Sequence, residues 1–286
     1  MGQSPIQPSK VVQQQPPTLT SIGEQIRDGE LRNIIVMVGA GASTSAGIPD
    51  FRTPGSGLYS NLEKYNLPTF ESIFTLSYFR EHPQAFFTLA KELFPGKFKP
   101  SDAHRFIKML ADKDILLRCY TQNIDDLEAI AGVPHNLIMQ AHGGFHNVSC
   151  IDCKQTQDAG RFKESCLEGK IYRCVFCNGL TKPDIVFFGE ALPGDFGYCV
   201  SKDFHKCDCL IIMGTSLTVH PFADLVNMVP PEAKRILINR EVCGGNSFLF
   251  GKKENTRDLF VQTDCDQSAN ALAAMILQPS ITLTEK

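Results

Sequence analysis

The sequence predicts a doubly wound parallel α/β sheet that carries a smaller second unit, and three observations lead to that class. Short, uninterrupted apolar runs rich in β-branched residues recur along the 286-residue chain, as strands buried on both faces do. Helix-spaced apolar residues fill several of the intervals between them. Two long stretches, one rich in phenylalanine and one in cysteine, break the alternation and read as insertions.

In chain order, Met1–Pro17 is rich in Gln and Pro. It has neither the apolar segment of a signal peptide nor an Arg-rich amphipathic pattern, so residues 1–19 read as a flexible tail. Gly2 is followed by Ile6 where an N-myristoylation motif requires Ser or Thr. Ser21 and Glu24 have capping-box spacing and predict a short helix. Asn33–Val38 is the first strand. Like runs predict strands at Leu116–Thr121, Leu137–Ala141, Asp184–Phe188, Cys209–Met213, Arg235–Asn239 and Leu259–Gln262. Ala103, Phe106, Ile107 and Leu110 share one helical face. Ala269, Leu272, Ala273 and Ile276 share another, behind Asp266 as the expected cap. The main sheet domain is therefore assigned to residues 20–57, 101–144 and 183–278. Residues 58–100, a helical module, and 145–182 form the small domain, and 279–286 a C-terminal tail.

Composition narrows the function classes. Apolar residues make up 43% and charged residues 21%, with a net charge of −3, which is ordinary for a globular chain and excludes wholesale disorder. No basic field is present to attract nucleic acid or an anionic membrane. The apolar runs Ile34–Val38 and Leu210–Met213 fall far short of the roughly 18 residues of a membrane span. Eleven cysteines, an odd number in a chain too long to need stapling, point to a reducing compartment. The cytoplasm is expected, with the nucleus and the mitochondrion as alternatives. A monomer or weak oligomer is expected.

Cys150-x2-Cys153 and Cys174-x2-Cys177 lie twenty residues apart, the spacing of a zinc ribbon. Four thiolates close a tetrahedral Zn²⁺ with no position left for water or substrate, so the metal is structural. Cys119, Cys166, Cys199, Cys207, Cys209, Cys243 and Cys265 form no second quartet and read as small core residues.

The run Val38–Gly47 (VGAGASTSAG) follows the first strand, where a dinucleotide pyrophosphate sits on backbone N–H groups. Gly39 and Gly41 fit the first two glycines of G-x-G-x-x-G, and Thr44 stands at the third. Ile48–Arg52 adds an acid, a ring and a guanidinium. Polar clusters end four further runs: Thr121–Asp125, Ala141–Gly143, Gly214–Ser216 and Asn239–Glu241. Strand ends on one edge of a parallel sheet converge, and that convergence marks the site.

In this order GAGAST, GIPDFR, TQNID, HG, the paired CxxC, KPDIVFFGE and GTSLTVHPFA resemble the sirtuins, the NAD-dependent protein lysine deacylases. The likeness runs from about residue 20 to 277, and LEKYNLP with FFTLAKELFPG resembles the class I branch. It implies a Rossmann-like NAD-binding domain, NAD as co-substrate and acyl-lysine proteins as partners. It assigns NAD to Gly39, Ala40, Gly41, Ala42, Ser43 and Thr44, with Asp50, Phe51 and Arg52 ordering around it. Gln122, Asn123, Ile124 and Asp125 would line the nicotinamide and ribose pocket. Gly214, Thr215, Ser216, Asn239, Arg240, Glu241 and Cys265 would take the adenosine half. Val186, Phe187, Phe188, Gly189, Glu190 and Val219 would flank an extended substrate peptide. His142, Asn123 and Asp125 would be catalytic, His142 as the base that activates a ribose hydroxyl after the acyl oxygen has displaced nicotinamide. The products would be nicotinamide and O-acyl-ADP-ribose. Protein mono-ADP-ribosyl transfer and a non-catalytic NAD-sensing scaffold are the alternatives.

The chain departs from the family pattern at Asp126, where an uncharged residue is usual, at Gly144 in place of Thr, and at Ala42 in place of Ile. The Asp126 carboxylate is expected to serve the helix that follows rather than the cofactor cleft. No Tyr-x-x-Arg follows Arg52, so neutral acyl groups are favoured.

Overall fold

The computed structural model describes residues 15–48, 67 and 69–279. Helix α1 (Leu19–Arg27) leads into β1 (Ile34–Val38). The cap of α1 is Thr18, not Ser21: the Thr18 hydroxyl accepts the Ser21 N–H, and the Ser21 hydroxyl reciprocates by accepting the Thr18 N–H. The reciprocal pair uses both hydroxyls and moves the helix start three residues earlier than expected. After two short helices, α2 (Leu76–Glu81) and α3 (Pro83–Leu93), come α4 (Asp102–Asp112), β2 (Leu116–Thr121), α5 (Leu127–Ile130) and β3 (Ile138–Gln140). The cysteine region follows as β4 (Val148–Cys150), β5 (Thr156–Gln157), α6 (Ala159–Leu167) and β6 (Thr181–Pro183). Helix α7 (Phe196–Asp203), β7 (Cys209–Met213), β8 (Lys234–Asn239), β9 (Asp258–Gln262) and α8 (Cys265–Leu277) complete the described elements.

The six long-sheet strands run in the order β3-β2-β1-β7-β8-β9, and every neighbouring pair is parallel. Because successive side chains point to opposite faces, β1 divides its five buried residues between two cores. Ile34, Val36 and Val38 meet α4 and α8 residues such as Ile107 and Leu272. Ile35 and Met37 meet Tyr120, Phe204 and Phe222 on the other face. Burial on both faces is why these strands read as unbroken apolar runs. The order reverses direction beside β1, between β1 and β7, which opens a crevice at their carboxyl ends.

A third core is built from the insertions. Phe79, Phe86 and Phe87 of α2 and α3 pack with Phe145, Phe162 and Phe187, several as edge-to-face pairs with centroids 5.2–5.8 Å apart. Strands β5-β4-β6 form a small antiparallel sheet in the same unit.

Two further expectations are corrected. Asp184–Phe188 is not a strand; the strand is Thr181–Pro183, and Phe188 makes a single bridge to Thr75. The buried Lys182 ammonium donates to the Ile185 carbonyl at 2.6 Å and pairs with Glu190 at 3.0 Å, while Glu190 accepts the Phe187 N–H at 2.8 Å. Those bonds take the backbone groups a ladder would need and curl residues 183–190 into a loop. The α8 cap residue is Asp264, not Asp266. The Asp266 carboxylate instead accepts the Ala103 N–H at the start of α4, joining two helix N-termini.

Candidate active site

The carboxyl ends of β1, β2, β3, β7 and β8 open into one cleft of about 1260 Å³. That exceeds the roughly 300–1,000 Å³ of a common small-ligand pocket, so it has room for two reactants side by side. Its floor is the meeting of the loops after β1 and β7. The Gly41 N–H donates to the Gly214 carbonyl at 2.8 Å. A Cβ on Gly39 would sit 2.7 Å from that same oxygen, and one on Gly41 would sit 2.7 Å from the Gly214 Cα. The glycines are thus required by backbone contact between two strand ends, which leaves a shallow, side-chain-free cradle above them. Thr44, at the third glycine position, turns its hydroxyl back onto the Gly41 carbonyl at 3.0 Å.

The loop after β2 is tied to that cradle. Asn123 donates its amide to the Gly39 carbonyl at 3.1 Å and to the Ser43 hydroxyl at 3.3 Å. The Ser43 hydroxyl donates to Asp125 at 2.7 Å, and the Leu127 N–H donates to the same carboxylate at 3.0 Å. Gln122 accepts from the Thr215 hydroxyl at 2.7 Å. Burial raises the Asp125 carboxyl above its usual range, opposed by the Leu127 and Ser43 donors.

His142 follows β3. Its Nδ1 faces the Gln122 carbonyl at 3.1 Å. A carbonyl only accepts, so Nδ1 carries the proton and Nε2 is the basic nitrogen of the neutral ring. Burial lowers the pKa of His142, with the Gln122 bond opposing it, so the unprotonated ring that a base requires is the resting form at neutral pH. At Gly143, with φ +66°, a Cβ would lie 1.9 Å from the Asp184 carbonyl. The Val186 N–H donates to the His142 carbonyl at 2.8 Å. Histidine and the 183–190 loop are therefore one assembly.

Of the residues singled out from sequence, Gly39, Ala40, Gly41, Ser43, Thr44, Gln122, Asn123, Ile124, Asp125, Gly214, Thr215, Ser216, Asn239, Arg240, Glu241 and Cys265 all line this cleft, as do His142, Val186–Glu190 and Val219. Ala42 does not; it is 1% exposed and belongs to the core below. Burial pushes the Cys265 thiol up to about 12, which leaves it an inert wall. Asp50, Phe51 and Arg52 lie outside the described residues. Phe74, Phe94, Phe98 and Leu192 also line the cleft. Sequence reasoning did not assign them; the signal was the aromatic density of the insertion.

Asp126 does not serve the following helix through its side chain. It sits at φ +61° with no cap bond, is 5% exposed, and accepts from the Gln140 amide at 2.5 Å, with His146 Nε2 3.1 Å away. It lines a second cavity of about 650 Å³ beside Gln140 and Gly144, away from the cradle. A Cβ on Gly144 would come within 3.0 Å of Gln140 Oε1 and 3.4 Å of the donating Nε2. Two departures from the family pattern thus share one partner: Gly144 leaves the space in which Gln140 reaches Asp126.

The four cysteines offer thiolates that all lie within 4.8 Å of one another. Cys150 and Cys177 sulfurs are 3.5 Å apart, as are those of Cys153 and Cys174. A tetrahedral ion with Zn–S near 2.3 Å requires S–S separations of about 3.8 Å. The quartet fits one structural zinc, and none of its members lines the cleft.

A Sir2 family model matches residues 39–221. NAD-dependent protein deacetylase sirtuin-2 of Danio rerio is 48% identical over 272 residues, 91% of this chain and 72% of its own. NAD-dependent protein deacetylase hst2 of Schizosaccharomyces pombe is 45% identical over 258 residues, 90% of this chain and 76% of its own. NAD-dependent deacetylase sir2A of Dictyostelium discoideum is 48% identical over 255 residues; the match covers 87% of this chain and half of that relative.

Proposed function

The chain belongs to the Sir2 family, and from that footing we propose that it is an NAD-dependent protein lysine deacetylase. One observation carries the reading. A neutral, half-buried histidine with its Nδ1 proton fixed stands in the same cleft as a glycine cradle made by the first and seventh strand ends. NAD, when bound, supplies a cleavable nicotinamide–ribose bond and the ADP-ribose that accepts the acetyl group.

The residues' own tasks follow from where they stand. The Gly39–Ser43 and Gly214–Ser216 loops would receive the pyrophosphate on the side-chain-free surface where they meet. Asn239, Arg240 and Glu241, at the end of β8, receive the adenosine half. Asn123 and Asp125 hold the Ser43 side of the cradle in place beside the ribose. His142 Nε2 would take a proton from a ribose hydroxyl of bound NAD, a contribution of about 10²–10⁴-fold for a positioned general base. The loop Val186–Glu190 and Val219 line the same cleft, and an extended peptide laid between them would gain main-chain bonds with little sequence demand. Apolar walls from Val186, Phe187 and Phe74 keep water from the reacting centre.

Acetylated proteins are the substrates, and neutral acyl groups are preferred. The eleven cysteines form no disulfide, which supports a reducing compartment: the cytoplasm, with the nucleus and the mitochondrion as alternatives. Among the described residues no helix is long and apolar enough to cross a membrane. The test is incubation of an acetyl-lysine peptide with NAD, read by mass spectrometry. Equal amounts of deacetylated peptide and O-acetyl-ADP-ribose are expected. ADP-ribose attached to protein, with the acetyl group untouched, contradicts the reading.

A further inference from the structure

The cleft carries charges that the mechanism above does not use. Its carboxylates are Glu71, Glu92, Asp125, Glu190, Glu241 and Asp264. Most are compensated. Glu92 pairs with Lys97 at 3.2 Å, Glu190 with Lys182 at 3.0 Å and Asp264 with Arg240 at 2.8 Å. Asp125 takes the Ser43 and Leu127 donors, and Glu241 stands on the adenosine half. Glu71 remains: it is exposed, and among the described residues nothing pairs with its carboxylate.

Glu71 belongs to a short 3₁₀ turn, Phe70–Phe74. That turn is bonded to the loop proposed to flank the peptide: the Phe188 N–H donates to the Phe74 carbonyl at 2.8 Å, and Phe188 bridges Thr75. The second flanking segment begins at Val219. The next residue, His220, also lines the cleft, with its side chain 65% exposed. His220 Nδ1 lies 2.9 Å from Asp224 Oδ2. A carboxylate only accepts, so Nδ1 is the donor, and a neutral ring leaves the charge of Asp224 in place. The turn that carries this pair is fixed. The Val219 carbonyl accepts the Ala223 N–H at 3.0 Å, the Pro221 carbonyl accepts the Asp224 N–H at 3.1 Å, and the buried Phe222 ring lies 6.3 Å from that of His142. Each flanking segment thus brings one exposed carboxylate that, among the described residues, no Lys or Arg neutralises.

We infer that Glu71 and the His220–Asp224 pair are specificity determinants of the peptide site: they select acetyl-lysine segments that carry Arg or Lys on both sides of the modified residue, and disfavour segments flanked by acids. The inference rests on the deacetylase reading, with the peptide laid between residues 186–190 and Val219. Main-chain bonds hold an extended peptide but read none of its side chains. With the acetyl-lysine directed into the cleft, the alternation of an extended chain leaves its neighbours at the rim, where exposed groups meet them. A single exposed ion pair is weak, but exchanging Arg for Glu turns attraction into repulsion, and the two effects add. The net charge of −3 acts in the same direction at longer range.

The test uses acetyl-lysine peptides with Arg or Glu at the two positions before the modified residue, or at the two positions after it. Each is assayed with the full chain as wild type, Glu71→Gln, Asp224→Asn and the double variant. Both kcat/KM and peptide affinity, by fluorescence polarisation, are measured. The readout is the ratio of Arg to Glu peptide, in which any general loss cancels. Wild type should favour Arg on each side by about three- to tenfold, through KM and affinity rather than kcat, and the preference should shrink as salt rises. Each single substitution should bring the ratio toward unity on one side only, the two acting on different sides, and the double variant on both. His220→Ala keeps the Asp224 charge but frees its side chain, so part of the preference should remain. A wild-type ratio near unity, a ratio that neither substitution changes, or a preference insensitive to salt overturns the assignment. Failure of wild type to deacetylate any of the peptides contradicts the functional reading instead, and the polarisation ratios then decide this one.

Discussion

Replacing Lys182 by Met asks whether the 183–190 loop, proposed to flank the peptide, is held by a single buried cation. The ammonium is 9% exposed at its side chain and donates to the Ile185 carbonyl at 2.6 Å, while pairing with Glu190 at 3.0 Å and lying 4.6 Å from the Phe187 ring centroid. Hydrogen bonds to a charged group are worth about 1.5–3 kcal/mol each, and removing one partner of a buried pair costs about 3–5 kcal/mol. Glu190 is 23% exposed at its side chain, so water recovers part of that, and about 2–3 kcal/mol remains to loosen residues 183–190. At about 1.4 kcal/mol per tenfold, kcat/KM for an acetyl-lysine peptide should fall roughly 30–140-fold. The Gly39–Ser43 cradle is untouched by the change, so NAD KM at saturating peptide should move by less than about twofold. Lys182→Arg keeps the charge and should recover part of the loss. The assay is steady-state kinetics with each substrate varied in turn, alongside melting curves to confirm folding. An equal loss for both substrates, or none for the peptide, refutes the idea that this cation shapes the peptide side of the cleft.

The remaining predictions concern metal, charge and pH. Cys150→Ser should lose the single bound zinc by elemental analysis and lower the melting temperature, because metal-binding energy in such a module is folding energy; folded, active wild type without zinc contradicts this. Asp126→Gly removes the acceptor of Gln140 but relieves a left-handed backbone worth about 1–2 kcal/mol for a non-glycine residue. Its stability should therefore change by less than about 1 kcal/mol in denaturant titration, with NAD KM unchanged; a several-fold change in KM shows that the carboxylate reaches the cofactor. The lowered pKa of His142 places the acid limb of the pH–rate profile below the ordinary histidine value of about 6.5. For His104, which burial lowers to about 4, the same sign acts on stability. The unfolded chain takes up the proton first, so stability should fall as pH drops from about 6.5 to about 4, and His104→Gln should flatten that slope.

Much of this was readable because the signals were local. A strand buried on both faces shows itself as an apolar run, and Ile34–Val38 and Cys209–Met213 were found to the residue or within one. The cysteine quartet and the polar strand ends were legible because ligand spacing and parallel topology each leave few arrangements. What escaped was long-range. Asp184–Phe188 has strand composition, but Lys182 and Glu190, from either side, claim its backbone groups. Asp126 was read as serving its own helix, whereas its partners come from β3 and the loop beyond it. The approach of His104 to Glu128, whose polar atoms lie within 4.8 Å, joins two helices whose sequences give no sign of each other, since a single polar residue on an apolar face is the same in a core or at a solvated edge.

The most direct measurement is the separation of two activities in His142→Ala. The substitution removes the Nε2 base while leaving the cradle at Gly39–Ser43 and the 183–190 loop in place, since His142 joins that loop through its backbone carbonyl. Deacetylation and labelled-nicotinamide exchange are followed on the same acetyl-lysine peptide. Deacetylation should fall at least about 10²-fold, and exchange, which needs no base at this position, should be retained to a greater extent. Deacetylation near the wild-type rate, or loss of both activities together with NAD still bound, contradicts the role given to His142.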